Sequence, residues 1–201
     1  EGRTDASTHR LEVRQPRKDG PPLWSEVVAS PFFGPDGEIA GFQGVTRDIT
    51  ERKEAELALK EREERDRSIF EHATSGILQT TADGRIISAN PAAAAMFGYD
   101  SPDELIRTVV SLGEEVYESP AVRDALIEEL AEKGRVKAEI KLRRKDGEEI
   151  IADVSFWTVV DEDGNLSFIE GLIDNVSDIK KALKDLEEAY ESLRSTQSQL
   201  V

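Results

Sequence analysis

The chain has 201 residues, 38% of them hydrophobic and 34% charged, with a net charge of −16, no cysteine and only two histidines. That balance supports a buried core under a heavily solvated surface. It excludes disulfides, thiolate metal sites and a cysteine nucleophile, and it argues against a histidine metal cage, nucleic-acid partners and docking on an anionic membrane face. No apolar run approaches the ~20 residues that span a bilayer, and no signal peptide opens the chain, so the expected compartment is the cytoplasm, without membrane insertion of this segment. The charge is uneven: residues 1–50 carry 8 acids and 6 bases, which leaves −14 for the remainder. With 10 lysines against 16 arginines, the surface suits a salt-adapted host as well as an ordinary acidic protein.

In chain order, Leu11-Glu12-Val13-Arg14 alternates apolar and polar as a half-buried strand does. Lys18-Asp19-Gly20 is a hairpin turn in which glycine supplies the positive φ. A strand over 23–30, a second turn at Asp36-Gly37 and a strand over 39–45 complete a three-stranded meander. Asp48 and Thr50 then offer side-chain acceptors to the free N–H groups of a helix start. Residues 51–67 contain no glycine or proline and mix charge signs at i, i+4 spacing, which predicts a connector helix.

Two strands follow, over 76–81 and 85–89, around the turn Ala82-Asp83-Gly84. Asn90 caps a helix with Pro91 at its first position and Gly98 at its end. A short helix starts at Ser101-Pro102, and an amphipathic helix over 120–133 presents Val122, Leu126, Ile127 and Leu130 on one face before Gly134. Three more strands, over 138–142, 150–160 and 166–176, are joined by Lys145-Asp146-Gly147 and Asp163-Gly164, and Asn175 and Ser177 form a second helix cap. This β-β-α-α-α-β-β-β order implies an α+β fold, an antiparallel sheet with helices on one face. The carboxylate pairs Glu114-Glu115 and Glu128-Glu129 read as solvated surface.

The last three strands of this unit repeat the first three at a fixed offset of 127 residues, without a gap. RLEVRQPRKDG at 10–20 falls on KAEIKLRRKDG at 137–147, Gly44 falls on Gly171, Asp48-Ile49-Thr50-Glu51 on Asn175-Val176-Ser177-Asp178, and Lys53 on Lys180. The final segment carries Ile179, Leu183, Leu186, Tyr190, Leu193, Gln197 and Leu200 at 4-3 spacing, a heptad seam, with Gln197 at an a position. The alternative is an amphipathic helix folded back on its own domain.

The segment IFEHATSGILQTTADGRIISANPAAAAMFGYDSPDELI (69–106) resembles the amino-terminal half of a PAS domain, and the segments ending GFQGVTRDITERKEAE and IEGLIDNVSDIKKA resemble its carboxy-terminal exit. The resemblance divides the chain into the C-terminal half of a first PAS domain (1–50), a connector helix (51–67), a complete PAS domain (68–178) and a coiled-coil signalling helix (179–201). It implies a five-stranded sheet in order 2-1-5-4-3, and signals that leave through the helix after the last strand by way of Asp48, Thr50, Asn175 and Ser177. It also implies a homodimer through PAS and coiled-coil helices, and a downstream effector in the same chain. The tail 192–201 resembles the connector ahead of a sensor histidine kinase's phosphoacceptor helix; a diguanylate cyclase or chemoreceptor-like parent is the alternative. Three strands with one face uncovered are marginal alone, so residues 8–50 are expected to need another chain or the second domain for order.

Catalytic constellations are absent from the sequence: no phosphate-cradling glycine loop, no metal-ligand spacing, no nucleophile triad. No enzyme activity is therefore expected of this segment. Within the PAS resemblance, a cysteine-adduct flavin is excluded and haem is disfavoured, because 120–133 holds no histidine; any other cofactor stays open. A ligand pocket between sheet and helices would be lined by Met96, Phe97, Ile140, Val154, Phe156 and Ile173, with Asn90 as a polar anchor. Alternatively these residues simply fill a core, and the module relays signals without a ligand. Trp157, next to Phe156, is expected on the opposite sheet face.

Overall fold

The computed structural model describes residues 8–199, with side chains through Arg194. Two compact units divide the chain, Glu1–Asp66 and Arg67–Val201. In the first, β1 (His9–Gln15), β2 (Leu23–Phe33) and β3 (Ile39–Asp48) pair antiparallel in that order. β2 and β3 each run three residues past their predicted ends. Pro31 lies just past the predicted end of the strand, yet it sits in the ladder opposite Phe42, and the β2–β3 register continues to Ser25 opposite Asp48. β3 is an edge strand.

The helix that follows, α1 (Thr50–His72), is also longer than predicted. No glycine or proline occurs between 51 and 75, so nothing stops it before the approach to Gly76. His72 therefore closes α1, its Nδ1 2.9 Å from the Ser68 carbonyl. None of the α1 side chains is buried.

The second unit runs β4 (Gly76–Thr80), β5 (Ile86–Ala89), α2 (Pro91–Phe97), α3 (Pro102–Thr108), α4 (Leu112–Glu115), α5 (Pro120–Lys133), β6 (Arg135–Arg143), β7 (Glu149–Val160), β8 (Leu166–Asn175) and α6 (Ser177–Gln199). Its sheet order is β5-β4-β8-β7-β6, the predicted 2-1-5-4-3. Alternate residues of the strands, among them Leu78, Val136, Leu142, Ile150, Val154, Ile169 and Ile173, join Phe97, Leu105, Leu126 and Leu130 of the helices in one buried cluster.

Four helices, not three, separate the second and third strands of this unit. α4 escaped prediction because Gly113 lies inside its single turn. It is held instead by Glu115, whose Oε1 accepts from the backbone N–H groups of Val110 (2.8 Å) and Ser111 (2.9 Å). Glu115 is exposed, as its surface reading has it, and serves in addition as a local cap. Glu129 is likewise engaged, with Lys133 one turn on at 2.6 Å.

Asn90 is fully buried and uses every hydrogen-bonding site it has. Its Oδ1 accepts from Ala93 N (2.9 Å), capping α2, and from Ile77 N (2.8 Å). Its Nδ2 donates to the carbonyls of Phe70 (3.1 Å) and Ser75 (3.0 Å). One side chain so fastens the end of α1, the start of β4 and the start of α2. Truncation strands two N–H groups and two carbonyls, so Asn90→Ala should cost on the order of 3 kcal/mol in denaturant unfolding of the second unit. Asn90→Asp should not rescue it, since a second carboxylate oxygen would face two carbonyls.

Candidate functional site

Two places in the chain are candidate sites: the junctions where a sheet hands over to a helix, and a cavity in the core of the second unit. At the second junction, β8 ends at Asn175 but the ladder on β7 continues. Val176 N–H donates to the Ile151 carbonyl (2.9 Å), and Ile151 N–H donates to the Ser177 hydroxyl oxygen (2.8 Å). Ser177 Oγ takes the position of the next strand acceptor, while Asn175 Oδ1 accepts from Ser177 N (3.0 Å) to turn the chain into α6. The first junction is the same device 127 residues earlier. Ile49 N–H donates to Trp24 O (2.9 Å), Trp24 N–H donates to Thr50 Oγ1 (3.0 Å), and Asp48 Oδ1 accepts from Thr50 N (2.9 Å) and Thr50 Oγ1 (2.6 Å).

An ion pair is repeated as well. Lys53 meets Glu12 at 2.6 Å and Lys180 meets Glu139 at 2.7 Å, each tying the first turn of a helix to the far strand of its meander, β1 or β6. Hydrogen bonding to these carboxylates raises both lysines above their ordinary value. Glu12 has a second partner, Arg52 (2.6 Å), and bonds from Lys53 and Arg52 hold its carboxyl below the usual range. Asp48 is lowered by the bonds from Thr50. Asn175 performs the same cap without a charge.

Beyond the junctions the helices diverge. Ile179, Leu183, Leu186, Tyr190 and Leu193 are each more than half exposed, so the seam of α6 does not fold back on its own domain. The backbone of Gln197 lies in α6, its side chain and all of Leu200 lying outside the described residues. The counterparts of those five exposed positions on α1 are Arg52, Glu56, Leu59, Glu63 and Asp66, which keep one apolar residue of five.

The cavity, of about 30 Å3, is lined mainly by Leu78, Phe97, Leu112, Val116, Leu126, Leu142, Phe156, Ile169 and Ile173, with Thr80, Tyr117 and Arg123 as polar members. Gly171 forms part of its wall, and a Cβ there would stand 2.8 Å from the Phe156 ring. Of the predicted lining, Phe97, Phe156 and Ile173 are present. Met96, Ile140, Val154 and Asn90 are not. Val154 is buried in the core, and Met96 and Ile140 pack against its margin. Asn90 has no hydrogen-bonding capacity left for a ligand. Trp157 lies on the other sheet face, its Nε1 donating to Glu170 at 3.0 Å.

Arg123, Tyr117 and Thr80 were missed. An arginine three residues before Leu126 and seven before Leu130 shares the inner face of α5, and that spacing was the available signal. Arg123 is 8% exposed, with Nη2 donating to the carbonyls of Ala82 (2.8 Å) and Thr81 (3.4 Å). Gly84, at φ +91°, makes room for it: a Cβ there would meet the guanidinium carbon at 3.1 Å.

This sheet order, with helices on one face and the chain leaving by a capped helix, defines a small α+β sensor-type domain. The family model for the PAS domain matches residues 1–51 and 74–178, and the chain belongs to that family. It is 30% identical over 152 residues to sporulation kinase E of Bacillus subtilis, spanning 75% of this chain and 20% of that protein. It is 27% identical over 127 residues to the bacterioopsin transcriptional activator of Halobacterium salinarum, spanning 55% of this chain and 19% of that protein. The chain therefore covers about a fifth of the length of these curated relatives. Among solved structures, the PAS domain of an HTR-like protein from Haloarcula marismortui matches with a TM-score of 0.50 at 23% identity, over 61% of this chain and 98% of that one. An RNA-binding light-oxygen-voltage receptor matches with a TM-score of 0.51 at 12% identity, over 92% and 82%. No helix among the described residues is long and apolar enough to cross a membrane.

Ser177→Ala removes the acceptor of Ile151 N–H and should cost about 1–2 kcal/mol, read as faster amide exchange at Ile151 and in the first turn of α6. Thr50→Ala should do the same at Trp24. Acid should separate the two junctions. Glu12 and Asp48 are lowered in the folded state, so their contribution is present above the ordinary carboxylate range, about pH 4, and is lost as pH falls through their lowered values. Amide exchange corrected for intrinsic rate should therefore show the α1 start loosening in acid while the Asn175–Ser177 cap hydrogen bond persists.

Proposed function

We propose that the chain is a sensory and signal-relay segment of a larger signal-transduction protein, foremost a sensor histidine kinase acting in the cytoplasm. In this reading residues 1–50 are the C-terminal half of a first PAS domain, α1 is a connector, residues 68–178 are a whole PAS domain and α6 is a coiled-coil outlet. Two copies of the chain pair along the seam of α6 and through their PAS units. The segment itself is non-catalytic, and effector chemistry belongs to another domain. A change in the sheet, caused by ligand or partner, moves β7 and with it the Ile151 backbone on which α6 is hung. The repeated hydroxyl clamp carries the reading, because a rigid strand-to-helix coupling is what a two-state relay needs.

A second reading, a ligand-free dimerisation and relay module of a cyclase or chemoreceptor-like protein, draws support from the smallness of the cavity, which has room for one or two waters. Cysteine-adduct flavin chemistry does not fit either reading, since the chain has no cysteine.

That lack also makes the relay testable by disulfide mapping. Leu186→Cys and Leu193→Cys should oxidise to dimers severalfold faster than Glu188→Cys, which lies on the far side of the helix. Adding Ser177→Ala should change the ratio between seam positions. Equal rates at all three sites, with a monomer in ultracentrifugation, would refute the pairing. Unchanged ratios after Ser177→Ala would refute the clamp as the coupling element.

A further inference from the structure

The cavity wall is apolar except for three side chains, each nine-tenths or more buried: Arg123 at 8%, Thr80 at 8% and Tyr117 at 7% exposure. Each has donor capacity left over. Arg123 spends Nη2 on two carbonyls of the 81–85 turn, which leaves the donors of Nε and Nη1, and it has no acidic partner among the described residues. The hydroxyls of Tyr117 and Thr80 make no hydrogen bond among the described residues. Burial pushes the Tyr117 hydroxyl up to about 12, with the Arg123 charge opposing, so it keeps its proton at neutral pH and remains a donor.

Among the described residues Arg123 has no carboxylate beside it, and its remaining donors and the hydroxyls of Tyr117 and Thr80 have no protein partner while the three side chains line one cavity, so the cavity offers donors to an incoming acceptor. Clamping the turn accounts for one guanidinium nitrogen and leaves the charge itself unanswered. Water could satisfy the hydroxyls, but only an anion neutralises the arginine. The complement is therefore acceptor-rich, singly negative and small, with an apolar end for the leucine, valine and phenylalanine side chains around it. A planar carboxylate also matches the guanidinium fork.

We propose that this cavity binds a short-chain monocarboxylate, held by Arg123 with Tyr117 and Thr80 as further donors. This rests on reading the second unit as a sensor, and it names the class of what is sensed. The space allows an acetate-sized anion, and Phe156, only partly buried at the margin, is the side chain whose rotation would admit a longer tail. Since Phe156 stands opposite Gly171 in the β7–β8 ladder, such a rotation acts on the strand that carries the outlet clamp.

The test titrates the whole chain with sodium acetate and propionate, using acetamide, propionamide and sodium chloride at matched ionic strength as controls. Thermal unfolding and backbone amide NMR shifts are the readouts. The carboxylates should raise the melting temperature saturably and shift the amides of Thr80, Tyr117 and Gly171, while the amides and chloride do neither. Arg123→Gln should raise the half-saturating concentration about tenfold or more. Tyr117→Phe, which keeps the volume and the fold, should raise it severalfold, so the proposal stays open to refutation even if Arg123→Gln unfolds. No saturable response to either carboxylate, an equal response to the amides, or undiminished binding in Tyr117→Phe together with a folded Arg123→Gln would overturn it. None of these outcomes bears on the crosslinking of α6, which judges the relay separately.

Discussion

A β-ladder that outlives its strand is the constraint on which the second unit depends. β8 stops at Asn175, yet the next two rungs on β7 are filled, one by the Val176 backbone and one by the Ser177 hydroxyl. An ordinary helix cap satisfies the helix's own first-turn donors. Here the hydroxyl at the helix start satisfies a donor of the sheet, while the asparagine two residues before it does the local capping. Sheet and helix therefore share hydrogen bonds, and neither can shift its first or last residue without breaking a bond of the other. The same arrangement at Thr50, Trp24 and Asp48 shows that it is a property of the repeated unit rather than an accident of one sequence.

What the two copies keep and what they change are instructive together. The ladder rungs, the cap and the lysine–glutamate tie are conserved at a constant offset, whereas the residues one helical turn further are not. Glu56, one turn on, pairs with Lys53, while its counterpart Leu183 is apolar and exposed. One junction delivers a charged helix with exposed i, i+4 ion pairs along it. The other delivers a helix with an unsatisfied apolar stripe. The coupling is generic and the destination is written into the next few residues.

Much of this fold was legible in the sequence because it is written locally. Asp-Gly turns, alternation, the Asn90-Pro91 helix start and the heptad spacing each depend on neighbours a few residues away, and the 127-residue repeat fixed the register of three strands twice over. The sheet order came from family resemblance. Misreadings fell where local signals compete with tertiary ones. Pro31 lies past the strand's predicted end but pairs within β2, and Gly113 hides a helical turn held by Glu115. The cavity was the least legible feature, since a void is the space left over after many side chains have packed. Strand parity correctly turned Phe156 and Ile173 inward, but it also turned Ile140 and Val154 inward, and nothing local says which inward residues touch one another and which face a gap. Arg123 was missed for a related reason: a charge on an amphipathic helix reads as surface until the turn at Gly84 is seen to receive it.

β4 lies beside β8, with Gly76 opposite Ile173, so the strand that admits the chain and the strand that releases it are neighbours, about 4.8 Å apart. A domain with adjacent doorways can be strung like a bead: another copy lengthens the thread and leaves the rest of the thread as it was. The three strands and helix start that recur 127 residues apart are the exit half of such a unit. A unit whose entry and exit fall on neighbouring strands can be inserted or removed wherever the joining helix keeps its first turn.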